Sequence, residues 1–463
     1  MSVSVVLRCA GCAATVDPLD VGAPAPFRCP NAGRAPNVDH VLTWDPLLAG
    51  VRGWPDDTST NPFLRYRTLH HSYHLHLGLG GTDVEYVKLV ERLDAALINN
   101  GGPGFRVAPV LALDALGAAT GVDAWGRDDT TGVAGSHKAR HLMAILLHLE
   151  VRKAPLRTPL AIASCGNAAI AAATLARAAG RTVQVFVPTW ANPVVLAELR
   201  SLGARIVECP RKDTDPPGDP CLHRFHEAVA KGALPFCVQG PENGFTIDGG
   251  ATSGQELVDA FAMLGVPDRL FVQVGGGAWA SGLWRGLRDG RGLGVIDRLP
   301  ALHCVQAKGC APLVEAWRTV AGRALRALGH EELLDEGFDA VGAALVANEA
   351  RSAVESAMQW ALTHRPAVMP VWHDPHSVAT GILDDEAYDW AVAVRSMLVS
   401  GGWPVAVSDE QLTAATALVN AGLIDADETG SAAAAGLVAF RERDWGSADE
   451  RVAVTVTGIR RRR

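Results

Sequence analysis

Along residues 82–98 apolar side chains recur at helical spacing (Val84, Val87, Leu89, Val90, Leu93, Leu97), which predicts an amphipathic helix. The run Asn99-Asn100-Gly101-Gly102-Pro103-Gly104 then breaks the chain. A second helical run covers 142–149. Beyond it the period alternates. Residues 159–163 read as a short apolar strand, 168–179 as a helix of small residues ended by Gly180, and 182–187, with Val183, Val185 and Val187, as a strand. A helix at 193–202, closed by Gly203, and a strand at 204–207 follow. Strands separated by helices predict a parallel sheet with helices on both faces and ligands at the carboxyl ends of its strands. Further on, 270–274 reads as a buried strand running into Gly275-Gly276-Gly277, with a helix at 279–287. Residues 317–361 read as largely helical, 404–407 and 452–456 as strands, and 409–421 and 430–440 as helices between them. Residues 44–61 and 211–220 read as irregular connections, and no internal repeat is found.

The 463 residues suffice for two or three domains, and 48% hydrophobic with 20% charged residues is ordinary globular composition. The net charge of -8 excludes a general attraction for nucleic acid or anionic membrane. The exception is the arginine run at 460–463, expected to be a solvated end. No apolar run reaches the roughly 18 residues a bilayer demands. The apolar start lacks a basic region and a cleavage site and is interrupted by Arg8, so no signal peptide is expected. Nine mostly scattered cysteines point to a reducing cytoplasm. Three of them, Cys9, Cys12 and Cys29, have spacing that suits thiolates on one tetrahedral zinc. The usual position of a fourth ligand is Ala32. His40 is a substitute at a longer spacing, and a knuckle that folds without metal is the alternative. In neither case is this segment expected to be catalytic.

The candidate chemistry starts at Lys138, in Gly135-Ser136-His137-Lys138-Ala139-Arg140. Alone it is a surface lysine at a helix start, where a cation is mildly unfavourable against the helix dipole. Ser164-Cys165-Gly166-Asn167 falls between a predicted strand and helix, where free N–H groups suit a substrate carboxylate and Asn167 offers an amide. A plain helix cap by Ser164 or Asn167 is the other reading. Gly275-Gly276-Gly277-Ala278 has the strand, glycine turn, helix order of a phosphate cradle. It lacks the Gly-Lys-Ser/Thr ending of a nucleotide loop and the G-x-G-x-x-G of a dinucleotide site; three glycines also mark a tight turn. Thr457 ends the last strand and offers a neutral hydroxyl. In this order the pieces supply what pyridoxal 5'-phosphate (PLP) requires: a lysine that bonds its aldehyde, a cradle for its phosphate, and partners for ring hydroxyl and ring nitrogen.

These pieces together resemble the fold-type II PLP enzymes of the tryptophan synthase beta superfamily, and most closely threonine synthase and its relatives. Residues 61–67, Asn-Pro-Phe-Leu-Arg-Tyr-Arg, resemble an N-terminal segment of threonine synthases. Residues 125–140 resemble the segment that carries the Schiff-base lysine, which falls on Lys138. Phe245-Thr246-Ile247-Asp248-Gly249 resembles a strand-to-helix junction of the family. Glu428 to Ala433 resembles a late motif, and Thr457-Gly458 its ending. The resemblance implies an α/β fold with two Rossmann-like parallel-sheet lobes and a small N-terminal cysteine-knuckle segment. The expected division is 1–45, then 46–150 with 245–463 as the large PLP-binding domain, and 151–244 as a small domain. It also implies cofactor contacts from Lys138, Asn167, Gly275, Gly276, Gly277, Ala278 and Thr457, with Ser164, Cys165, Gly166 and His137 on the substrate side.

The expected activity is a β- or γ-elimination, with or without replacement, on a small amino acid; a serine/threonine-type ammonia-lyase or a non-catalytic binding protein on the same fold are the alternatives. A homodimer is the expected assembly. The departures bear on the substrate. The family's phenylalanine before the lysine is His137, and its aspartate after it is Ala139. His137 reads as an extra acid/base group or as a packed or surface ring. The histidines of residues 70–76 read as an exposed polar stretch, with metal binding as the alternative.

Overall fold

The structure, a computed structural model, describes residues 3–22, 26–216 and 218–461. Arg462 and Arg463 of the terminal arginine run, and Pro217 of the 211–220 loop, lie outside the described residues. The strands are β1 (Leu7–Cys9), β2 (Thr15–Val16), β3 (Leu42–Thr43), β4 (Val110–Ala112), β5 (Asp123–Asp128), β6 (Leu160–Ala163), β7 (Val183–Val187), β8 (Arg205–Glu208), β9 (Leu234–Pro235), β10 (Arg269–Gln273), β11 (Ala301–Ala307), β12 (Val405–Val407) and β13 (Arg451–Val456). They form a six-stranded sheet in the order β12-β11-β10-β13-β5-β4, a four-stranded sheet β8-β7-β6-β9, and a small antiparallel sheet β2-β1-β3 at the N-terminus. The smaller lobe's sheet is wholly parallel, and in the larger one only β4 runs antiparallel. The two expected parallel-sheet lobes are therefore present. No helix among the described residues is long and apolar enough to cross a membrane.

Register puts the chemistry at one edge. β13 pairs with β5 from Arg451 opposite Asp123 to Val456 opposite Asp128, and with β10 from Arg269 opposite Val452. The carboxyl ends of β10, β13 and β5 thus lie side by side, and from them lead the glycine turn, Thr457 and the loop to Lys138. β6, in the other sheet, delivers Ser164 to Asn167. Two apolar cores support this arrangement. One joins residues 113–124 to side chains between 257 and 456; the other joins residues 5–105 and 133–151 to the four-stranded sheet. In packing terms residues 46–105 and the Lys138–Val151 helix go with the smaller sheet.

The helix that starts at the glycine turn, Ala278–Gly292, is held by the Phe245–Leu264 helix crossing it. Glycines make the crossing close: a Cβ on Gly286 would stand 2.4 Å from the Ala251 carbonyl oxygen, and one on Gly254 2.0 Å from that of Leu283. Beneath the Lys138 helix lies a buried ion network. Glu256 accepts Arg127 at 2.5 Å, Arg140 at 2.6 Å and the Ala108 N–H at 3.1 Å, and Asp129 closes it on both arginines. Burial lowers the Arg127 pKa to about 10, with Glu256 opposing, so the guanidinium stays charged at pH 7. Glu256→Gln leaves two buried guanidinium groups short of a countercharge. It should destabilise the protein by about 3–5 kcal/mol, read as a lower urea midpoint at pH 7; a loss under about 1 kcal/mol would contradict this account.

Candidate functional site

The glycine turn is shaped for a close neighbour. Gly277 has φ +91°, open to glycine at little cost, and caps the following helix without any side-chain hydrogen bond. The helix's first N–H groups are therefore free for a ligand. Residues 382–389 lie against this turn. A Cβ on Gly275 would stand 2.3 Å from Asp384 Oδ2 and 3.0 Å from Ile382 Cα, and one on Gly276 2.9 Å from the Tyr388 ring. The Asp384 carboxylate faces the Gly276 N–H, which lowers its pKa against burial. The Asp389 N–H returns a bond to the Gly276 carbonyl at 2.7 Å, and the Asp389 carboxylate accepts the Gly240 N–H at 3.0 Å. Burial raises the Asp384 pKa to about 6, opposed by Lys138, and that of Asp389 to about 8. The turn already hosts one anionic oxygen on its amides, so its donors fit a phosphate in exchange for that carboxylate.

Lys138 opens the Lys138–Val151 helix and is half-buried. Burial lowers its ammonium pKa, against the opposing pull of Asp384 and Asp389. Beside it, His137 is buried and stacks on Trp279 with centroids 3.9 Å apart and rings 8° from parallel. The Thr457 hydroxyl oxygen accepts the His137 backbone N–H at 3.1 Å and lies 2.8 Å from its Nδ1. Burial, then Lys138 and His141, push the His137 pKa well below its ordinary value. The ring is thus a neutral, packed partner of Thr457. The proton donor near neutral pH that the sequence allowed is not what this packing provides.

Across the cleft, the Asn167–Ala178 helix is capped by Gly166 without a side-chain bond, and Ser164 Oγ accepts the Gly166 N–H at 3.4 Å. The reading of Ser164 or Asn167 as the helix cap therefore does not hold, and the helix N–H groups stay available. Arg461 donates to Asn167 Oδ1 at 3.2 and 3.3 Å, to Glu198 at 2.8 and 3.0 Å and to the Ala134 carbonyl at 2.9 Å. With Oδ1 so engaged, the Asn167 Nδ2 is left to donate. Burial, then Asp219 and Asp384, raise the Cys165 thiol pKa, so acidic residues from both lobes face this point.

The structure thus gathers Lys138, His137, Thr457, Asn167 and residues 275–278 at one cleft, with Ser164 to Gly166 on its far side. Sequence reasoning missed Asp384, Tyr388, Asp389 and Arg461. The run at 384–386 carries only the signal of a charged surface. The histidine stretch is corrected: His70 and His71 are fully buried. His71 donates to the Val5 carbonyl at 3.0 Å, His74 to that of Thr68 at 2.8 Å and His76 to that of Thr82 at 3.1 Å, each to a different partner. Among the described residues, metal-type donors converge instead at Cys9, Cys12, Cys29 and His40. His40 takes the place that Ala32 leaves open.

Comparison with known proteins agrees with this architecture. Residues 102–458 match the pyridoxal-phosphate dependent enzymes, and the chain belongs to that family, whose cofactor is PLP. Among curated proteins it is similar to a threonine synthase of Mycobacterium bovis, 27% identical over 298 residues, 64% of this chain and 66% of that one. It is also similar to a threonine synthase of Mycobacterium leprae, 26% identical over 76% of this chain and 80% of the relative. The chain thus spans just under two thirds of the length of the M. bovis relative. Among solved structures, maize serine racemase superposes with TM-score 0.56 and 16% identity, covering 81% of this chain and 94% of that one. A tomato (Solanum lycopersicum) threonine deaminase gives TM-score 0.56 and 16% identity, covering 82% and 86%. These two likenesses speak to the fold.

Proposed function

We propose that the chain is a PLP-dependent lyase, threonine synthase-like in its machinery, that removes a β or γ substituent from a small amino acid. One observation carries the reading: a half-buried lysine of lowered pKa faces the Asp384 carboxyl group that lies on the glycine turn, and the Asn167–Ala178 helix starts without a side-chain cap. Bound PLP withdraws electrons from the substrate's α carbon, which makes loss of a proton and of a neighbouring substituent feasible. Lys138 would bond its aldehyde, residues 275–278 its phosphate, Asn167 its ring hydroxyl and Thr457 its ring nitrogen.

Each of these residues has a defined task. A lowered pKa gives Lys138 a larger neutral fraction, the form that acts as nucleophile and base, and the freed amine takes the α proton. The His137 backbone N–H donates to the Thr457 hydroxyl oxygen; with Nδ1 protonated as well, the hydroxyl's own proton would be left to donate. A neutral donor does not protonate the ring, which suits elimination. Arg461 fixes the Asn167 amide by binding its oxygen. The first N–H groups of the Asn167–Ala178 helix orient the substrate carboxylate.

The substrate differs from a phosphate ester. Burial, and then neighbouring acidic groups, raise the pKa values of Asp384, which faces Lys138, and of Asp385 next to it, so a second phosphate would meet like charge. A hydroxyl or an ammonium as leaving group would avoid this repulsion, and the ammonia-lyase is the alternative reading that such a leaving group would fit. Serine, threonine, diaminopropionate and O-phosphohomoserine, each supplied to the PLP-loaded protein, separate the readings by product. Keto acid and ammonia from one of the first three is the expected result, and turnover of O-phosphohomoserine alone would overturn the substrate reading. The same proposal places the chain in the cytoplasm as a homodimer, the latter tested by light scattering.

A further inference from the structure

The N-terminal segment folds around four donors that the cleft does not use. β1 ends in Cys9, whose N–H bonds the Ala14 carbonyl at 2.8 Å, while the Ala13 N–H returns to the Cys9 carbonyl at 3.0 Å. Ala13 adopts φ +59°, so the chain turns tightly enough for Cys9 and Cys12 to face the same point. A second turn starts at Cys29, with the Ala32 N–H on its carbonyl at 3.1 Å. The segment leading into β3 then brings in His40, held where the Ala10 N–H bonds the Val41 carbonyl at 2.9 Å. The three Sγ atoms and a His40 nitrogen all lie within 4.8 Å of one another.

The spacings exclude a disulfide and fit a metal site. Cys12 Sγ and Cys29 Sγ are 3.6 Å apart, and Cys9 Sγ and His40 Nδ1 are 3.5 Å apart. A tetrahedral zinc with ordinary bonds has S···S edges of about 3.8 Å and S···N edges of about 3.6 Å. A disulfide, at about 2.05 Å, is far shorter. Two further features match what metal ligands need. His40 Nε2–H donates to the Ala35 carbonyl at 3.2 Å, which turns the Nδ1 lone pair toward the thiols. Asn31 donates its backbone N–H to Cys29 Sγ at 3.4 Å and its Nδ2–H to Cys12 Sγ at 3.6 Å, bonds that favour thiolates.

We propose that Cys9, Cys12, Cys29 and His40 bind one zinc ion in a closed Cys3His site, with His40 Nδ1 as the fourth ligand, and that the ion staples the N-terminal sheet to the body of the protein. Four protein ligands leave no open position, so the role is structural. The stapled segment bears directly on the helices behind the cleft. The Asp39 N–H bonds the Leu362 carbonyl at 2.8 Å, and the Leu42 carbonyl oxygen lies where a Cβ on Gly244 would be, 1.6 Å away, at the start of the Phe245–Leu264 helix.

The full-length protein should carry about one zinc per chain by elemental analysis. Refolded with cobalt(II), it should show thiolate-to-cobalt charge-transfer bands and tetrahedral d–d bands. His40→Ala should weaken cobalt binding by more than about a hundredfold, because even losing a partner of a ligand costs up to that much. His40→Cys should keep the metal and intensify the charge-transfer band, since a fourth thiolate replaces the imidazole; this variant keeps the test readable if His40→Ala folds poorly. Metal content should be the same in Lys138→Ala, which separates this proposal from the one about the cleft. Wild-type protein that binds neither ion, with all three thiols freely reactive in the folded state, would overturn the site. A cobalt spectrum identical in wild type and His40→Ala would overturn the fourth ligand.

Discussion

Lys138→Ala should abolish turnover, a loss of at least about 10²–10⁴-fold from general-base catalysis alone, and should abolish covalent retention of PLP. Wild-type protein incubated with PLP and desalted should keep a visible absorbance band. After borohydride reduction, the pyridoxyl mass should sit on the peptide that contains Lys138. The variant should show neither. Its stability is expected to move the other way. The lysine is a half-buried cation at a helix start, where both burial and the helix dipole oppose its charge, and alanine is the better helix former there. The Lys138→Ala melting temperature should equal or exceed that of wild type. A variant that loses the band and also unfolds would point to a structural lysine. A band of undiminished strength in the variant would place the covalent link elsewhere.

Lys138 was legible because it lies in order with other pieces, and the helix at residues 82–98 because its ends are written locally. The latter forms as Asp83–Asn99, with Thr82 accepting from the Glu85 N–H and the Glu85 side chain accepting from the Thr82 N–H. Elements whose logic is tertiary were not legible. β5 reads Asp-Ala-Trp-Gly-Arg-Asp, with no apolar alternation to announce a central strand. Its Arg127 is tolerated inside because Glu256, far along the chain, neutralises it. The Phe245–Leu264 helix contains Gly249, Gly250 and Gly254, which look like helix breakers in sequence and are close-contact points in the fold. The histidines at 70–76 look exposed because they are polar, yet the rings of His70, His71 and His74 find a carbonyl or amide in buried or part-buried surroundings. The arginine tail read as solvated, but Arg461 docks on Asn167 and Glu198. His40 lies too far from Cys29 for a spacing rule, and only the fold of residues 29–40 brings it back.

Asp384→Asn should tighten PLP binding at pH 8 by about tenfold to a hundredfold. The Asp384 carboxylate rests on the Gly276 N–H that a phosphate oxygen would take, so cofactor and side chain compete for one donor. Two like charges near 4 Å repel by roughly 4 kcal/mol at an effective dielectric near 20, and the side chain's freedom to swing aside reduces this to the smaller range given. The same competition predicts a pH dependence with a definite sign. Burial raises the Asp384 pKa from 3.8 to about 6, with Lys138 pulling it down and Asp385 and Glu386 pushing it up. The folded protein therefore meets no ionisation penalty from this group below about pH 4; the penalty grows between pH 4 and 6 and is complete above that. Sulfate, whose charge is constant over this range, probes the turn without the cofactor's own titration. Its affinity for wild-type protein should fall as pH rises through about 6, where Asp384 becomes the competing anion; Asp384→Asn should lose that step and keep only the later fall as Asp389 ionises near 8. His137 does not confuse the result, because burial keeps it neutral throughout. Equal sulfate affinities and equal pH profiles in the two proteins would show that the carboxylate leaves the turn without resistance, and the cradle would then need no exchange to accept a phosphate.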